Sequence, residues 1–597
     1  MGWILSEFLI NEAECAFPPT QFYQKEPLWI VLSLAMIILV DLLIIFLTNS
    51  IRVGSVIVPF VLFIFAVVVC VVYEFRGIPM MAPDILTVQT ATSVMGNYTF
   101  KLTFEQYSVI LVCMAFFFTF LRLHEVKVTE KRVFHIAGFI VVALGCGLFT
   151  NQIILSDFME EHQINIRMFR PMESYQKYGG VLTFARSVGY AVVKKPEGYS
   201  TAKVDQIIQE YEKKSANEQQ STAKQYPNII TVVNETFADI KVLGDFKTNE
   251  DYMPYFHSLK KNCVTGYTYA SIVGGQTANT EFELLTGNTL GFLSAGTTAF
   301  QLYIHGQMPS LVSNLKAEGY SGNKAMHPFN PYNYNRPAVY KDFGFTDFID
   351  KFDFPKNVKR VREYISDEAN VDRIISEYEK NRKKTDQPFY MYNMTIQNHS
   401  PYDYDKDAAN FKQPIKIESS KYDAEANRYL NLIKYSDDSL KQLTSYFEKC
   451  KEPTIILFLG DHQPRLTDEF MNKITNGQYQ TWSSEQMMKR YQVPFVIWAN
   501  YDIKEQHIEK TSMNYIQSIL TQTAGVKMTG YQRFLNEVRK EVPTITSQGY
   551  WGKNGKFYQI NDKGSPYYGI IQKYRMIQYN MMFDKKNRRD SFFEVSK

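Results

Sequence analysis

Four long apolar segments crowd the first quarter of this chain, and none follows Ile154. Leu28–Leu47, Val53–Val72 and Val133–Ile154 each approach the ~20 residues a helix needs to cross a bilayer. The segment around Thr103–Leu123 has a shorter apolar core, Tyr107–Leu121, still long enough to span. One such run would suit a buried core helix. Four before residue 155 predict a multi-pass helical membrane domain and leave the rest of the chain to a separate, polar fold.

Basic residues set the expected orientation. The loop RLHEVKVTEKR carries Arg122 and Lys127 and ends in Lys131 and Arg132, so it is expected on the cytoplasmic side. The chain after Ile154 is then expected outside, with the turn at Asn49–Arg52 inside. This leaves the first 27 residues outside with no span before them, which predicts either a helix upstream of this start or a re-entrant N-terminal stretch. Pro79 and Pro83 mark a turn or short interfacial element after the second span. Asp41 lies inside the first span, where a carboxylate is costly. Pairing within the helix bundle is expected of it, rather than catalysis.

At 597 residues the chain exceeds one ordinary domain. The net charge of +4 is spread among interspersed lysines and acids, with no basic block of the kind nucleic acid requires. The six cysteines show no metal-ligand spacing. Cys70, Cys113 and Cys146 fall in apolar segments, and Cys263 and Cys450 do not imply a disulfide. These features predict a transmembrane domain over 1–155, a connector over 156–225, a catalytic domain over 226–540 and a C-terminal extension over 541–597. In the connector, Val181–Val193 suggests an apolar helix face at the membrane interface, and Thr201–Gln219 a solvated helix.

Beyond the connector, Asn228–Val233, Phe389–Ile396, Thr454–Leu459 and Pro494–Trp498 are short apolar runs typical of buried strands. Helical stretches, including Val371–Lys380 and Ala424–Lys449, lie between them. The alternation predicts an α/β domain with a central, mostly parallel sheet covered on both faces. Ligands of such sheets bind beyond the carboxyl ends of the strands. Glu235 stands just past the first strand, His399 past the second, and Asp461 with His462 past the third. Two carboxylates and an imidazole on one sheet edge suit a divalent metal.

A nucleophile is the remaining need. In GYTYASIVGGQTANTEFELLTGN, residues 266–288, Thr277 follows two glycines and opens a helical pattern. Small residues admit a substrate, and a helix start offers N–H groups to an anion. A metal beside the Thr277 hydroxyl would favour its alkoxide. Helix capping by Thr277 or Thr280 is the plain alternative.

With these residues in place the chain resembles the lipoteichoic acid synthase family, whose catalytic domain has the alkaline phosphatase/sulfatase fold. The resemblance covers the membrane anchor and nearly all of residues 226–535. It rests on Glu235 in VVNETFAD, on Thr277 in the T-x-x-x-E-F setting of QTANTEF, and on Asp461-His462 in FLGDHQP. It implies a metal held by Glu235, Thr277, Asp461 and His462, with manganese the expected ion. Substrate-binding positions map onto His327, Tyr334 and Arg336 in HPFNPYNYNR and onto His399 in TIQNHSPY. Tyr334 replaces the family's tryptophan, which leaves the acceptor open. The family has five spans where four are visible here.

The resemblance implies a phosphoglycerol transferase of a bacterial cell membrane, its catalytic domain on the extracellular side. Thr277 would take glycerol phosphate from phosphatidylglycerol and pass it to a lipoteichoic acid chain or cell-wall glycan. The alternatives are phosphoethanolamine transfer and phosphodiester hydrolysis. Arg336 is expected to clamp phosphate bidentately, His399 to bind phosphate or move a proton, and His327 and Tyr334 to bind glycerol or sugar. Asp239, Glu281, Glu283 and Asp367 are expected to be solvated or supporting.

Overall fold

A computed structural model describes residues 27–76, 79–82, 104–122, 124–156, 158–162, 164, 171–191, 193, 195–215, 226–294, 297–331, 333–403, 410–418 and 423–595. The N-terminal stretch and the proline turn from Pro83 onward, both anticipated above, lie outside these residues. Two compact units emerge, Met1–Val193 with Ser294–Thr297, and Lys194–Leu293 with Thr298–Lys597.

In the first unit every predicted span is helical: Pro27–Thr48, Ile51–Arg76, Phe104–Leu121 and Arg132–Phe149, the last continuing as a wider turn over Thr150–Ile154. Among the described residues, three helices are long and apolar enough to cross a membrane, at Leu28–Thr48, Ile51–Cys70 and Arg132–Ile154. Helix Arg132–Phe149 buries none of its residues and exposes Val133, Val141 and Leu148. Water would penalise that face, whereas acyl chains would not.

Gly54 lets the first two helices touch. A Cβ there would come within 2.3 Å of Ile45 and 2.7 Å of Asp41 Oδ1. The pairing expected of Asp41 is not seen among the described residues, where its buried Oδ1 has no hydrogen-bond partner. Helix Gly180–Ser187 turns Val181 and Leu182 into a cluster with Trp29, Ala66 and Tyr175. Those two positions are therefore packed against protein.

The second unit is built on an eight-stranded mixed sheet. In chain order its strands are β1 (Asn228–Asn234), β2 (Cys263–Tyr269), β3 (Ser321–Met326), β4 (Asp347–Ile349), β7 (Phe389–Met394), β8 (Thr454–Gly460), β9 (Gln492–Ala499) and β10 (Gln506–Ser512). A small hairpin, β5 (Arg360–Val361) and β6 (Tyr364–Ile365), stands apart. The spatial order is β10-β2-β9-β8-β1-β7-β3-β4. β1 runs parallel to both β7 and β8, with Val233 opposite Met394 and Leu459. β9 is antiparallel to β8 and β2.

Alternation along the central strands feeds two cores. Ile229, Val233, Leu457 and Leu459 face one layer, and Ile230, Val232, Ile456 and Phe458 the other. Helices Asp367–Arg382 and Ala424–Phe447 cover the second face through Ile374, Leu430 and Leu440. Helices Thr277–Thr286 and Met513–Thr523 cover the first through Phe282, Leu284 and Ile516. Residues 541–597 add a three-stranded sheet, β11 (Thr544–Thr546), β12 (Gly549–Trp551) and β13 (Phe557–Tyr558), and the helix Tyr568–Met582. Tyr574 and Ile577 of that helix share the core of Leu284 and Tyr531.

One polar cluster pins the chain after β1. The Asp239 carboxylate accepts from the hydroxyls of Tyr252 and Tyr267 and from the Lys241 N–H. His257 bridges Asp239 at 3.8 Å and Asp251 at 2.7 Å. These carboxylates, Asp239 foremost, push the imidazole up to about 9, against the opposing effect of burial. A histidine ionised more readily when folded stabilises fully below its unfolded value of about 6.5, and the benefit drains away as pH rises to about 9. His257→Ala is therefore expected to flatten the fall in thermal midpoint between pH 6.5 and 9. The effect will be modest because the ring is partly solvated. Identical pH dependence in the variant and the parent would refute the assignment.

Candidate active site

The carboxyl ends of β1 and β8 are neighbours in the sheet, so the residues that follow them meet. Gly460 makes the junction possible: a Cβ there would lie 1.8 Å from the Phe237 carbonyl oxygen. Immediately beyond, Asp461 Oδ1 accepts from the N–H groups of Thr236 (2.7 Å) and His462 (2.8 Å). Glu235 is held by its own N–H, which donates to Thr395 Oγ1 at 3.0 Å, and by the Thr236 hydroxyl, which donates to Oε1 at 2.9 Å. Thr236 does this from a left-handed backbone, φ 54°.

Glu235, Asp461 and His462 thus bring one ligand atom each to within 4.8 Å of one another, all buried. His462 Nε2 lies 3.2 Å from Asp461 Oδ2 and 3.8 Å from Glu235 Oε1, yet neither Nε2 nor Oδ2 makes a hydrogen bond. Burial pushes the Glu235 carboxyl well above its ordinary value, and the nearby Asp461 adds to this. Burial raises Asp461 too. Two repelling carboxylates and unpartnered polar atoms, all buried, are costly alone. A divalent cation satisfies all of them, so the donor set fits a metal.

Thr277 reaches the same place from the other side. It is the first residue of a ten-residue helix whose entry, Gln276, has φ 65°, preceded by Gly274 at φ 71°. Its hydroxyl lies 3.4 Å from Glu235 Oε2, where it donates weakly. Thr280, one turn on, donates to the Asp461 carbonyl at 2.8 Å and locks helix to strand end. Thr280 therefore fastens the helix, and Thr277 is left facing the carboxylate pocket.

Three of the predicted substrate-binding residues act on this centre or on one another: Arg336 on the Glu235 carboxyl, His462 on the His399 ring, and Arg336 and His399 on the His327 ring. His327 is buried with Nδ1 3.0 Å from the Met394 carbonyl. His399 sets Nδ1 2.6 Å from the Ser400 carbonyl. A carbonyl only accepts, so each ring carries its proton on Nδ1 and offers the Nε2 lone pair elsewhere. Burial holds His327 well below the usual imidazole value, with Arg336 contributing, and lowers His399 to about 4. Both rings are therefore neutral acceptors near pH 7, not cations for phosphate.

Arg336 departs from its expected role as an open bidentate clamp. Nε (3.1 Å) and Nη2 (2.7 Å) both donate to Glu281 Oε1, and both side chains are buried. The hydroxyls of Tyr340 (2.5 Å) and Tyr392 (3.1 Å) donate to Glu281 Oε2. One guanidinium edge is thus committed, and Tyr334, in a left-handed conformation, lies against its face with the ring centre 5.1 Å away. Glu281, expected to be solvated or supporting, lies one turn after Thr277 and couples the helix that Thr277 opens to Arg336. Glu283 is also buried, accepting from Ser271 Oγ and the Leu290 N–H. Asp367 is buried as well and accepts from Asn234 (2.7 Å) and Ser436 (2.6 Å).

Thr236, Thr395 and Asn398, whose Nδ2 donates to Asn234 Oδ1 at 3.1 Å and to Ser436 Oγ at 2.8 Å, were not singled out from sequence. The hydroxyl beside Glu235 in NET was the available signal for Thr236. Nothing local marks Thr395 or Asn398.

Comparison with known proteins follows the same lines. A sulfatase family model matches residues 227–526, half of the chain. The chain is 30% identical over 435 residues to a putative cyclic beta-1,2-glucan modification protein of Rhizobium meliloti, covering 72% of this chain and 65% of that one. It is 23% identical over 374 residues to the lipoteichoic acid synthase of Staphylococcus saprophyticus, covering 60% and 55% respectively. The match therefore spans less than two thirds of the length of either relative. Among solved structures, the Streptococcus pyogenes phosphoglycerol transferase GacH in complex with sn-glycerol-1-phosphate superposes with a TM-score of 0.54 at 20% identity, over 68% of this chain and 100% of that one. At that identity the likeness is one of fold.

Proposed function

Because this chain belongs to the sulfatase family, whose fold serves many reactions, we propose a specific one for it: transfer of glycerol phosphate from phosphatidylglycerol, through a covalent Thr277 intermediate, to a lipoteichoic acid chain or a glycan. The observation that carries this reading is the Thr277 hydroxyl facing a buried carboxylate–imidazole group whose Asp461 Oδ2 and His462 Nε2 lack partners. Binding alone needs no nucleophile at that point. The relative's name, a glucan modification protein, favours a glycan acceptor. The apolar helices favour a lipid donor, and the basic loop from Arg122 to Arg132 favours a domain on the outer side of a bacterial membrane.

Glu235, Thr277, Asp461 and His462 would hold the divalent metal, manganese by family resemblance. When bound, it supplies charge stabilisation and a lowered hydroxyl pKa. Thr277 Oγ1 attacks the phosphorus of the head group, giving up its proton. The Oγ1–P bond forms, the bond from phosphorus to the diacylglycerol oxygen breaks, and diacylglycerol leaves protonated. In the second half-reaction an acceptor hydroxyl attacks the same phosphorus, and Thr277 departs with a proton restored. His399, through its neutral Nε2, would accept the acceptor's proton, and His327 would accept from a glycerol hydroxyl. Arg336 Nη1, held only by a long bond of 3.5 Å to the Asn333 carbonyl, would turn to a phosphate oxygen.

The test uses full-length protein in membranes with head-group-labelled phosphatidylglycerol and manganese. Label on Thr277 or on a glycan, with diacylglycerol released, is the expected result. Turnover of phosphatidylethanolamine in its place would reassign the donor, and no turnover of either would overturn the reading.

A further inference from the structure

Arg362 stands where the backbone prefers another residue. It opens the two-residue turn between β5 and β6 with φ 54°, a position that hairpins ordinarily give to Gly, Asn or Asp. An outlier of this kind points to a use for the side chain. The guanidinium is buried and donates to three carbonyls of one segment: Pro401 at 2.8 Å from Nη1, and Gln397 at 2.9 Å and His399 at 2.7 Å from Nη2. It lies 5.3 Å from the ring centre of Tyr364 and 6.0 Å from that of Tyr402. The Arg362 carbonyl accepts from Asn410 Nδ2 at 2.9 Å, which ties the turn down.

The segment that Arg362 gathers has no ladder of its own. Residues 397–401 belong to no helix or strand, so their carbonyls need partners from elsewhere. Within it the His399 ring packs against Phe329 at 6.4 Å and Tyr364 at 5.9 Å, in a three-ring cluster whose third side, Phe329 to Tyr364, is 6.0 Å. Tyr364 is two residues from Arg362 on the same hairpin. The hairpin therefore supplies both the wall beside the imidazole and the clamp on its backbone.

We propose that Arg362 is a positioning residue for His399, fixing segment 397–401 so that the Nε2 lone pair meets a hydroxyl in the pocket. This rests on the transferase reading above for the hydroxyl, and on the structure alone for the clamp. An arginine fork spans three carbonyls from one plane, whereas a lysine point charge cannot. Displacing a proton acceptor by about 1 Å costs on the order of a hundredfold in rate.

The experiment compares full-length Arg362→Ala and Arg362→Lys with the parent. Amide hydrogen exchange over residues 396–403 is expected to accelerate about tenfold or more in Arg362→Ala, and less in Arg362→Lys. With labelled phosphatidylglycerol, turnover at saturating donor is expected to fall by roughly ten- to a hundredfold, with donor KM within about twofold. Guanidinium added to Arg362→Ala restores part of the rate. The acid limb of the rate profile moves to higher pH as His399 loses its enclosure and one of the charges, Arg362, Arg336 and His462, that act on it, His327 also facing it.

Parental exchange across 396–403 in both variants would overturn the proposal, as would an unmoved pH profile in an active variant. If Arg362→Ala loses protection across the whole domain, Arg362→Lys decides by the same two readouts. A parent that turns over no labelled donor refutes the transferase reading alone, and exchange still decides the clamp.

Discussion

Thr277→Ala is expected to lower glycerophosphate transfer by about ten-thousandfold or more while leaving the fold intact. The hydroxyl's hydrogen bond, 3.4 Å to Glu235, is too long to contribute much stability, and alanine is well tolerated in a first helical turn. The helix start is fastened instead by Thr280 on the Asp461 carbonyl. Thr277→Ser, which keeps an oxygen in place, is expected to retain a measurable fraction of the rate. The decisive measurement is mass spectrometry of the Thr277 peptide after brief exposure to donor. The parent and Thr277→Ser should gain a glycerophosphoryl group, and Thr277→Ala should not. If Thr277→Ala kept more than about one hundredth of parental turnover, the covalent route would be wrong.

Glu235→Gln is expected to act in opposite directions on activity and on stability. Turnover should fall by about a thousandfold, because one anionic donor of the metal group is lost. In chelator, however, the variant should be more stable than the parent by about 1–2 kcal/mol. The parent must then either hold two buried charges, Glu235 and Asp461, or take up a proton to bury Glu235 neutral, with His462 Nε2 unpartnered. Glutamine avoids that cost and still accepts from Thr236. Added manganese should raise the parent's thermal midpoint and leave the variant nearly unmoved. A variant less stable than the parent in chelator would show that Glu235 is structural, with no metal required to offset its burial. The same dialysis predicts that parental activity vanishes without divalent metal and returns on its addition.

Much of this architecture was legible in the chain because the informative segments carry their burial in their composition. NIITVVN and TIILFLG are apolar on both faces, as central parallel strands are, and they appear as β1 and β8. The apolar runs near the N-terminus became helices because each contains its own hydrogen-bond partners four residues away. β2, β3 and β10, with the sequences CVTGYTY, SGNKAM and QHIEKTS, were not recognised. β10 lies at the sheet edge and keeps Gln506, His507, Glu509 and Lys510 in solvent, and β3 carries a glycine and a lysine across a register shift. Such strands are stabilised by neighbours that local sequence does not name.

The site divides in the same way. Glu235, Asp461 and His462 were findable because each closely follows a strong strand, and parallel neighbours bring such ends together. An apolar, helical first quarter, a covered α/β sheet and the polar residues at one edge of it were readable from the chain, since they follow from periodicity and strand direction. Which charges are spent emerged with the folded structure. Glu281 had no local mark distinguishing it from a solvated acid, yet it neutralises one edge of Arg336 across 55 residues. Arg362 likewise resembled any surface arginine until the fold placed three carbonyls around it. Pairing between distant segments depends on distance and burial in the folded state. Local sequence encodes the donors and acceptors, but not which of them will meet.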